Sequence, residues 1–120
     1  MRNMSFMLTT QQVRDGTKTV TRRTGWWFLR PGDVVMACEK CQGLKRGEKI
    51  KRIRPIRILS TRGEELGDVT PAECVREGFP GLTPAEFIAM FARAHKWRGT
   101  CADAAWVNRI EFEYVEEADG

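Results

Sequence analysis

Gly16-Thr17-Lys18-Thr19-Val20-Thr21-Arg22-Arg23, GTKTVTRR, is the stretch on which the reading of this chain turns. It holds a lysine, three threonines and two adjacent arginines, and Val20 is its one apolar side chain. Such a run is either surface or site. Side chains alternate in a regular strand, so Lys18 and Thr21, three positions apart, would face opposite sides. A turn or bulge brings them together, and Gly16 supplies the loose backbone such a turn needs. The alternative is a basic, threonine-rich edge strand, because charges commonly guard sheet edges.

Upstream, Met4 to Leu8 reads as a short strand. Thr9-Thr10-Gln11-Gln12 has the spacing of a capping box and predicts a brief helix that ends at Asp15-Gly16. Downstream, Trp26, Trp27 and Phe28 precede the turn Arg30-Pro31-Gly32-Asp33. Val34 to Glu39 follows as a strand with Val34, Met36 and Cys38 on one face. Gly43 to Glu48 is a polar loop. Lys49 to Ser60 is a longer strand whose inward face, Ile53 and then Ile56 and Ile58, slips at Pro55, so a bulge or an edge position is expected there.

Thr70-Pro71-Ala72-Glu73 and Thr83-Pro84-Ala85-Glu86 are two helix starts with the same four letters, each a cap, a first-turn proline and a glutamate at the third position. The first helix closes at Gly78, with Phe79 placed for the contact of a Schellman ending. The second runs to about His95, with Phe87, Met90, Phe91 and Ala94 on one face and Arg93, His95 and Lys96 in its last turn. Trp97 to Ala104 is a loop. Trp106 to Val115 is the last strand, Ile110, Phe112 and Tyr114 inward and Arg109, Glu111 and Glu113 outward. Strands carrying short helices, without regular βαβ alternation, predict an α+β sheet or a small mixed barrel.

With 120 residues and 42% hydrophobic content, the chain forms one domain, 1–120. It has no apolar run of about 18 residues and no signal-peptide pattern at its start, so a cytoplasmic protein without a membrane segment is expected. Cys38, Cys41, Cys74 and Cys101 are then expected as reduced thiols. Charge divides the chain more than its net +4 shows: residues 1–62 hold fifteen Lys/Arg and four Asp/Glu, and residues 63–120 hold five and twelve. Lys45 to Arg62 contains eight of those cations and one glutamate. That density either attracts a polyanion such as RNA or forms a solvated face balanced by the acidic half.

Glu73 and Glu86 are explained by capping. Glu77 is not, because it places a negative charge at the negative end of its helix, which points to a functional role or a salt bridge. Cys38-Glu39-Lys40-Cys41 has the spacing of half a zinc site without the other half, and His95 suits its helix end. Trp26, Trp27 and Trp97 are candidates to stack a base or to fill the core.

Taken together, the GxKTxTxR element Gly16 to Arg23, the Pro-Gly-Asp turn opening a strand, and Arg76-Glu77-Gly78-Phe79 before a helix resemble the ASCH domains of the PUA-like superfamily, most of all its small prophage-associated members. The resemblance covers nearly the whole chain. It implies a small PUA-like mixed β-barrel of five or six strands with short helices at the rim and a cleft that holds a nucleobase or nucleotide. Some members remove the acetyl group of N(4)-acetylcytidine with a Lys, a Thr and a Glu, which fall by motif on Lys18, Thr21 and Glu77. No metal or cofactor is implied.

In that reading Thr21 is the nucleophile, Lys18 its base with a pKa pressed down by Arg22, Arg23 and burial, and Glu77 the residue that orients the amine or carries a proton to the leaving nitrogen. Arg23, which matches the motif, and Arg22 are the candidates to hold an oxyanion or a phosphate. Trp26, Trp27 and Glu39 complete the substrate-binding candidates. The alternative is an RNA-binding PUA-like module, non-catalytic or nuclease-type, that uses the Lys45 to Arg62 face. A third reading is an adaptor that binds a host protein.

Overall fold

The computed structural model describes residues 1–98 and 101–116, so positions 99 and 100 of the expected Trp97–Ala104 loop lie outside the described residues. Five strands form one sheet in the order β1-β3-β4-β5-β2: β1 (Asn3–Ser5), β2 (Val20–Arg23), β3 (Val34–Cys38), β4 (Arg52–Glu65) and β5 (Trp106–Tyr114). Among the described residues only the β1–β3 pair is parallel. Among the described residues three α-helices, α1 (Thr10–Asp15), α2 (Pro71–Arg76) and α3 (Pro84–Ala94), and three single-turn 3-10 segments lie in the connections. None of the helices is long and apolar enough to cross a membrane.

The α+β mixed sheet is as expected, but it does not close into a barrel. β1 and β2 are both edges. A side chain links them instead of a ladder: Arg23, on β2, donates from Nη2 to the Ser5 carbonyl of β1 at 2.6 Å and lies over the Phe6 ring.

Apolar burial falls into two clusters. Met4, Phe6, Val13, Leu29, Val35, Ala37, Ile56, Ile58, Ile110 and Phe112 form one. Leu66, Val69, Cys74, Phe87, Phe91, Ala105 and Val107 form the other. Burial on this scale supplies most of the driving force for folding, at roughly 25 cal/mol per Å² of apolar surface.

Several local expectations are corrected. In β3 the core takes Val35 and Ala37, not Val34 and Met36, because Val35 stands opposite the fully buried Ile56 of β4. Register shifts occur after Ala37 and after Ile58. Pro55 itself lies opposite Met36 and needs no donor. Its carbonyl accepts from Val115, just past the last residue of β5, where the ladder ends. Thr9 makes no side-chain cap, and the Gln12 side chain, which would close the other half of the box, donates to the Gly78 carbonyl. The cap of α2 is half as expected: Thr70 accepts from the Glu73 amide, but the Glu73 carboxylate is drawn away by arginines. Only α3 has the full capping box, between Thr83 and Glu86. Arg109, expected outward, is buried against that same Glu73.

Candidate functional site

The site begins where α1 ends. Gly16 adopts φ +77°, and the amides of Thr17 and Lys18 both turn back to the Gln12 carbonyl. That turn delivers Lys18 inward before β2 starts at Val20. Its neighbours lock it: Thr19 donates its amide to the Arg76 carbonyl, and the Tyr114 hydroxyl donates to the Lys18 carbonyl. Lys18 is 3% exposed.

Glu77 arrives from the opposite direction, on the ending of α2. The Gly78 amide bonds the Val75 carbonyl and the Phe79 amide the Cys74 carbonyl, which is the full Schellman motif, with Gly78 at φ +99°. A side chain at Gly78 would meet Gln12 Cγ at 2.9 Å, so the approach of α1 to this turn depends on glycine. The result is a direct contact. Lys18 Nζ donates to Glu77 Oε1 at 2.8 Å and to the Glu77 carbonyl at 2.7 Å. Burial lowers the Lys18 pKa, Glu77 opposes that shift, and the Arg23 and Arg22 charges add to it.

The second oxygen of Glu77 accepts from Arg22 Nη1 at 3.1 Å. Arg22 also donates from Nη2 to Glu73 at 2.7 Å and from Nε to Glu64 at 2.9 Å. Every nitrogen of its guanidinium therefore meets a carboxylate, and its side chain is 1% exposed. Arg22, one of the two arginines considered for an oxyanion or a phosphate, thus has its guanidinium engaged by Glu77, Glu73 and Glu64 at the cleft wall. Beyond it, Arg109 and Arg76 continue the network through Glu73 and Glu111. Arg109 first, and Arg22 with it, hold the Glu73 carboxyl down at about 2.

Strand alternation sends Thr21 and Arg23 to the other face of β2. The Thr21 hydroxyl, nearly buried, accepts from Arg23 Nε at 3.3 Å. Burial draws the Arg23 guanidinium down to about 10, so it stays charged at neutral pH. Lys18, Thr21, Arg22, Arg23 and Glu77 all line a single cleft of about 730 Å³. Its outer walls are apolar and come from both clusters, Phe6 on one side and Phe79, Phe87, Met90 and Phe91 on the other.

Trp26 also lines the cleft, half-buried and tilted against Phe28. Its φ of +64° is uncommon for a residue with a side chain, and buried Asn108 holds the segment by donating to the Gly25 and Trp26 carbonyls. Trp27 and Glu39 are not brought to the cleft. Trp27 is half exposed, and the Glu39 carboxylate accepts from Arg14 at 3.0 Å. Sequence reasoning missed Glu64, Arg109 and Asn108. A cation on the face of β5 read as solvated carried no sequence signal of its partner, because Glu73 had a sufficient local role.

No family model and no curated protein matches the sequence. Solved structures do. A protein from Enterococcus faecalis V583 placed in family DUF984 superposes with a TM-score of 0.68 at 17% identity, covering 96% of this chain and 76% of its own. An ASCH domain from Lactobacillus crispatus JV V101 superposes with a TM-score of 0.64 at 15% identity, covering 94% of this chain and 78% of its own. The chain has the ASCH-domain fold. Within this ASCH fold, Lys18 and Glu77, 59 positions apart in sequence, meet at the wall of one cleft.

Proposed function

We propose that this cleft hydrolyses the acyl amide on the exocyclic nitrogen of an N(4)-acetylcytidine-like nucleoside or nucleotide. The observation that carries the reading is the buried contact of Lys18 with Glu77 in a cleft that Thr21 and Arg23 also line. A neutral lysine amine has two hydrogens and one lone pair. The two acceptors of Lys18 Nζ, both belonging to Glu77, take those two hydrogens and leave the lone pair to accept the Thr21 proton.

The Thr21 oxygen then attacks the acyl carbonyl, and the oxyanion forms beside the Arg23 charge. Collapse breaks the C–N bond. The proton taken from Thr21 passes from the Lys18 ammonium, with Glu77 as its hydrogen-bonded partner, to the departing cytidine amine. Water, deprotonated by the same lysine, cleaves the threonine ester, and the proton returns to the Thr21 oxygen. Trp26 supplies a flat ring in the same cleft for the base.

The test is release of cytidine from N(4)-acetylcytidine by the wild type and by Lys18→Ala, Thr21→Ala and Glu77→Ala, each checked to be folded. Loss of turnover by orders of magnitude in all three supports the reading. Turnover that survives Thr21→Ala removes the nucleophile, and an inactive wild type removes the reaction.

A second reading rests on a different surface. Lys45, Arg46, Lys49, Lys51 and Arg52 are all exposed, a run of cations available to RNA phosphates. RNA affinity that falls steeply with salt, with no turnover, would favour a binding module.

A further inference from the structure

Among the described residues, five buried polar side chains line the cleft: Thr9, Lys18, Thr21, Arg22 and Glu77. Four of them hydrogen-bond to one another, to Arg23 or to the glutamates around Arg22. Thr9 does not. It is 5% exposed, and its hydroxyl has no hydrogen-bond partner among the described residues.

The local backbone explains why that hydroxyl is free. A 3-10 turn, Met7–Thr9, runs straight into α1, so Thr9 sits at φ −130°, ψ 29°. An extended residue would aim its side chain at the first helical amides, and Thr9 is not extended. Its neighbour Thr10 returns its own hydroxyl to the Phe6 carbonyl at 2.9 Å. The Thr9 amide bonds that same carbonyl at 3.0 Å, and Arg23, which donates to the Thr21 hydroxyl, lies over the Phe6 ring. Thr9 therefore stands on the Arg23 side of the cleft. A buried hydroxyl without a protein partner is unfavourable unless whatever fills the cleft meets it.

We propose that the Thr9 hydroxyl donates a hydrogen bond to the ring carbonyl oxygen O2 of the bound pyrimidine and so selects a cytosine base. The inference rests on the hydrolase reading above and names the part of the substrate that this wall recognises. With the acyl amide at Thr21, the base edge beyond it presents N3 and O2, both acceptors without a hydrogen, so the group that reads them must donate. Lys18 gives both hydrogens of its neutral amine to Glu77, and Arg22 has its nitrogens on carboxylates. An ionised Glu77 only accepts, and Thr21 is the nucleophile. Of the five, Thr9 keeps a hydrogen to give. Adenine acylated on its exocyclic amine carries C2–H where cytosine carries O2, and C2–H cannot accept. The same hydroxyl therefore favours the pyrimidine.

The experiment measures kcat/KM of the wild type, Thr9→Val and Thr9→Ser on N(4)-acetylcytidine and on its 2-thio analogue, in which sulfur, a weak acceptor, replaces O2. Valine keeps the methyl group and the volume, and serine keeps the hydroxyl. Expected are a fall of about tenfold for Thr9→Val on N(4)-acetylcytidine, most of it recovered in Thr9→Ser, and a similar fall for the wild type on the thio analogue that Thr9→Val does not show. A merely structural role lowers both substrates alike and leaves their ratio unmoved. An active wild type that treats the two substrates equally overturns the contact, even if a variant fails to fold, and leaves the hydrolase reading standing. So does a Thr9→Val that keeps the wild-type rate or loses both substrates in proportion. If the wild type releases no cytidine, the hydrolase reading fails, and NMR titration with cytidine and 2-thiocytidine decides the contact separately. Cytidine binding that is weaker in Thr9→Val and restored in Thr9→Ser, with the thio penalty confined to proteins that keep the hydroxyl, supports it. Equal binding by all three proteins, or none, overturns it.

Discussion

Replacing Arg22 with Met is the most demanding test of how this site is held. The side chain keeps its length and loses its charge. Glu77, Glu73 and Glu64 each lose a direct partner, and Glu77 and Glu73 are 4% and 15% exposed. Removing one member of a buried ion pair costs about 3 to 5 kcal/mol, because a charge remains without compensation. Lys18 and Arg109 still face Glu77 and Glu73 and soften the loss, so the lower end, about 3 kcal/mol, is expected. With a urea m-value of roughly 1 to 2 kcal/mol per M for a domain of this size, the unfolding midpoint falls by about 1.5 to 3 M. Arg57→Met is the control: its pair with Glu113 is about half exposed on both sides, and such pairs are worth about 0 to 1 kcal/mol. Equilibrium urea unfolding of the three proteins, followed by tryptophan fluorescence, decides the matter. If Arg22→Met unfolds within about 0.5 M of the control, the network is not what holds Glu77 in place, and the argument from burial is wrong.

Three further outcomes follow from the same geometry. Thr83→Ala removes a hydroxyl engaged in a complete capping box and should cost about 1 kcal/mol in urea unfolding, whereas Thr9→Ala, which removes no cap bond, should cost clearly less. The Glu73 carboxyl is held at about 2 from an ordinary 4.5, so the stability it contributes is fully present above pH 4.5 and is lost as pH falls toward 2. Thermal melts between those values should show a shallower pH dependence in Glu73→Gln than in the wild type. Glu77 raises the Lys18 pKa against burial, so in Glu77→Gln any residual turnover should have its rising limb at lower pH than in the wild type, and an unmoved limb would assign that titration to another group.

Local signals in the sequence are legible where local chemistry decides the outcome. Gly16, Gly78, Pro71 and Pro84 constrain the backbone within a few residues, and the elements they bound are in place: α1 ends at Gly16, and α2 closes at Gly78 in a Schellman turn. Glu77 is legible for the opposite reason. A carboxylate at a helix C-terminus is locally unfavourable, which implies a partner from elsewhere, and the structure supplies two, Lys18 and Arg22. Inference fails for residues that already have a local explanation. Glu73 fits a capping box, and Arg109 fits the outward face of an alternating strand. Each of these explanations is worth about 1 kcal/mol or less. A buried arginine facing three carboxylates reorganises the site by more than that, so the Glu73 side chain leaves its helix start to meet Arg22 and Arg109. The barrel expectation fails on the same scale. The backbone edges β1 and β2 do not pair, and one arginine closes the gap between them from inside the cleft. Arg23 thereby couples the geometry of the sheet to the charge beside Thr21: any substitution that loosens β1 at Ser5 moves the guanidinium that would meet an oxyanion there.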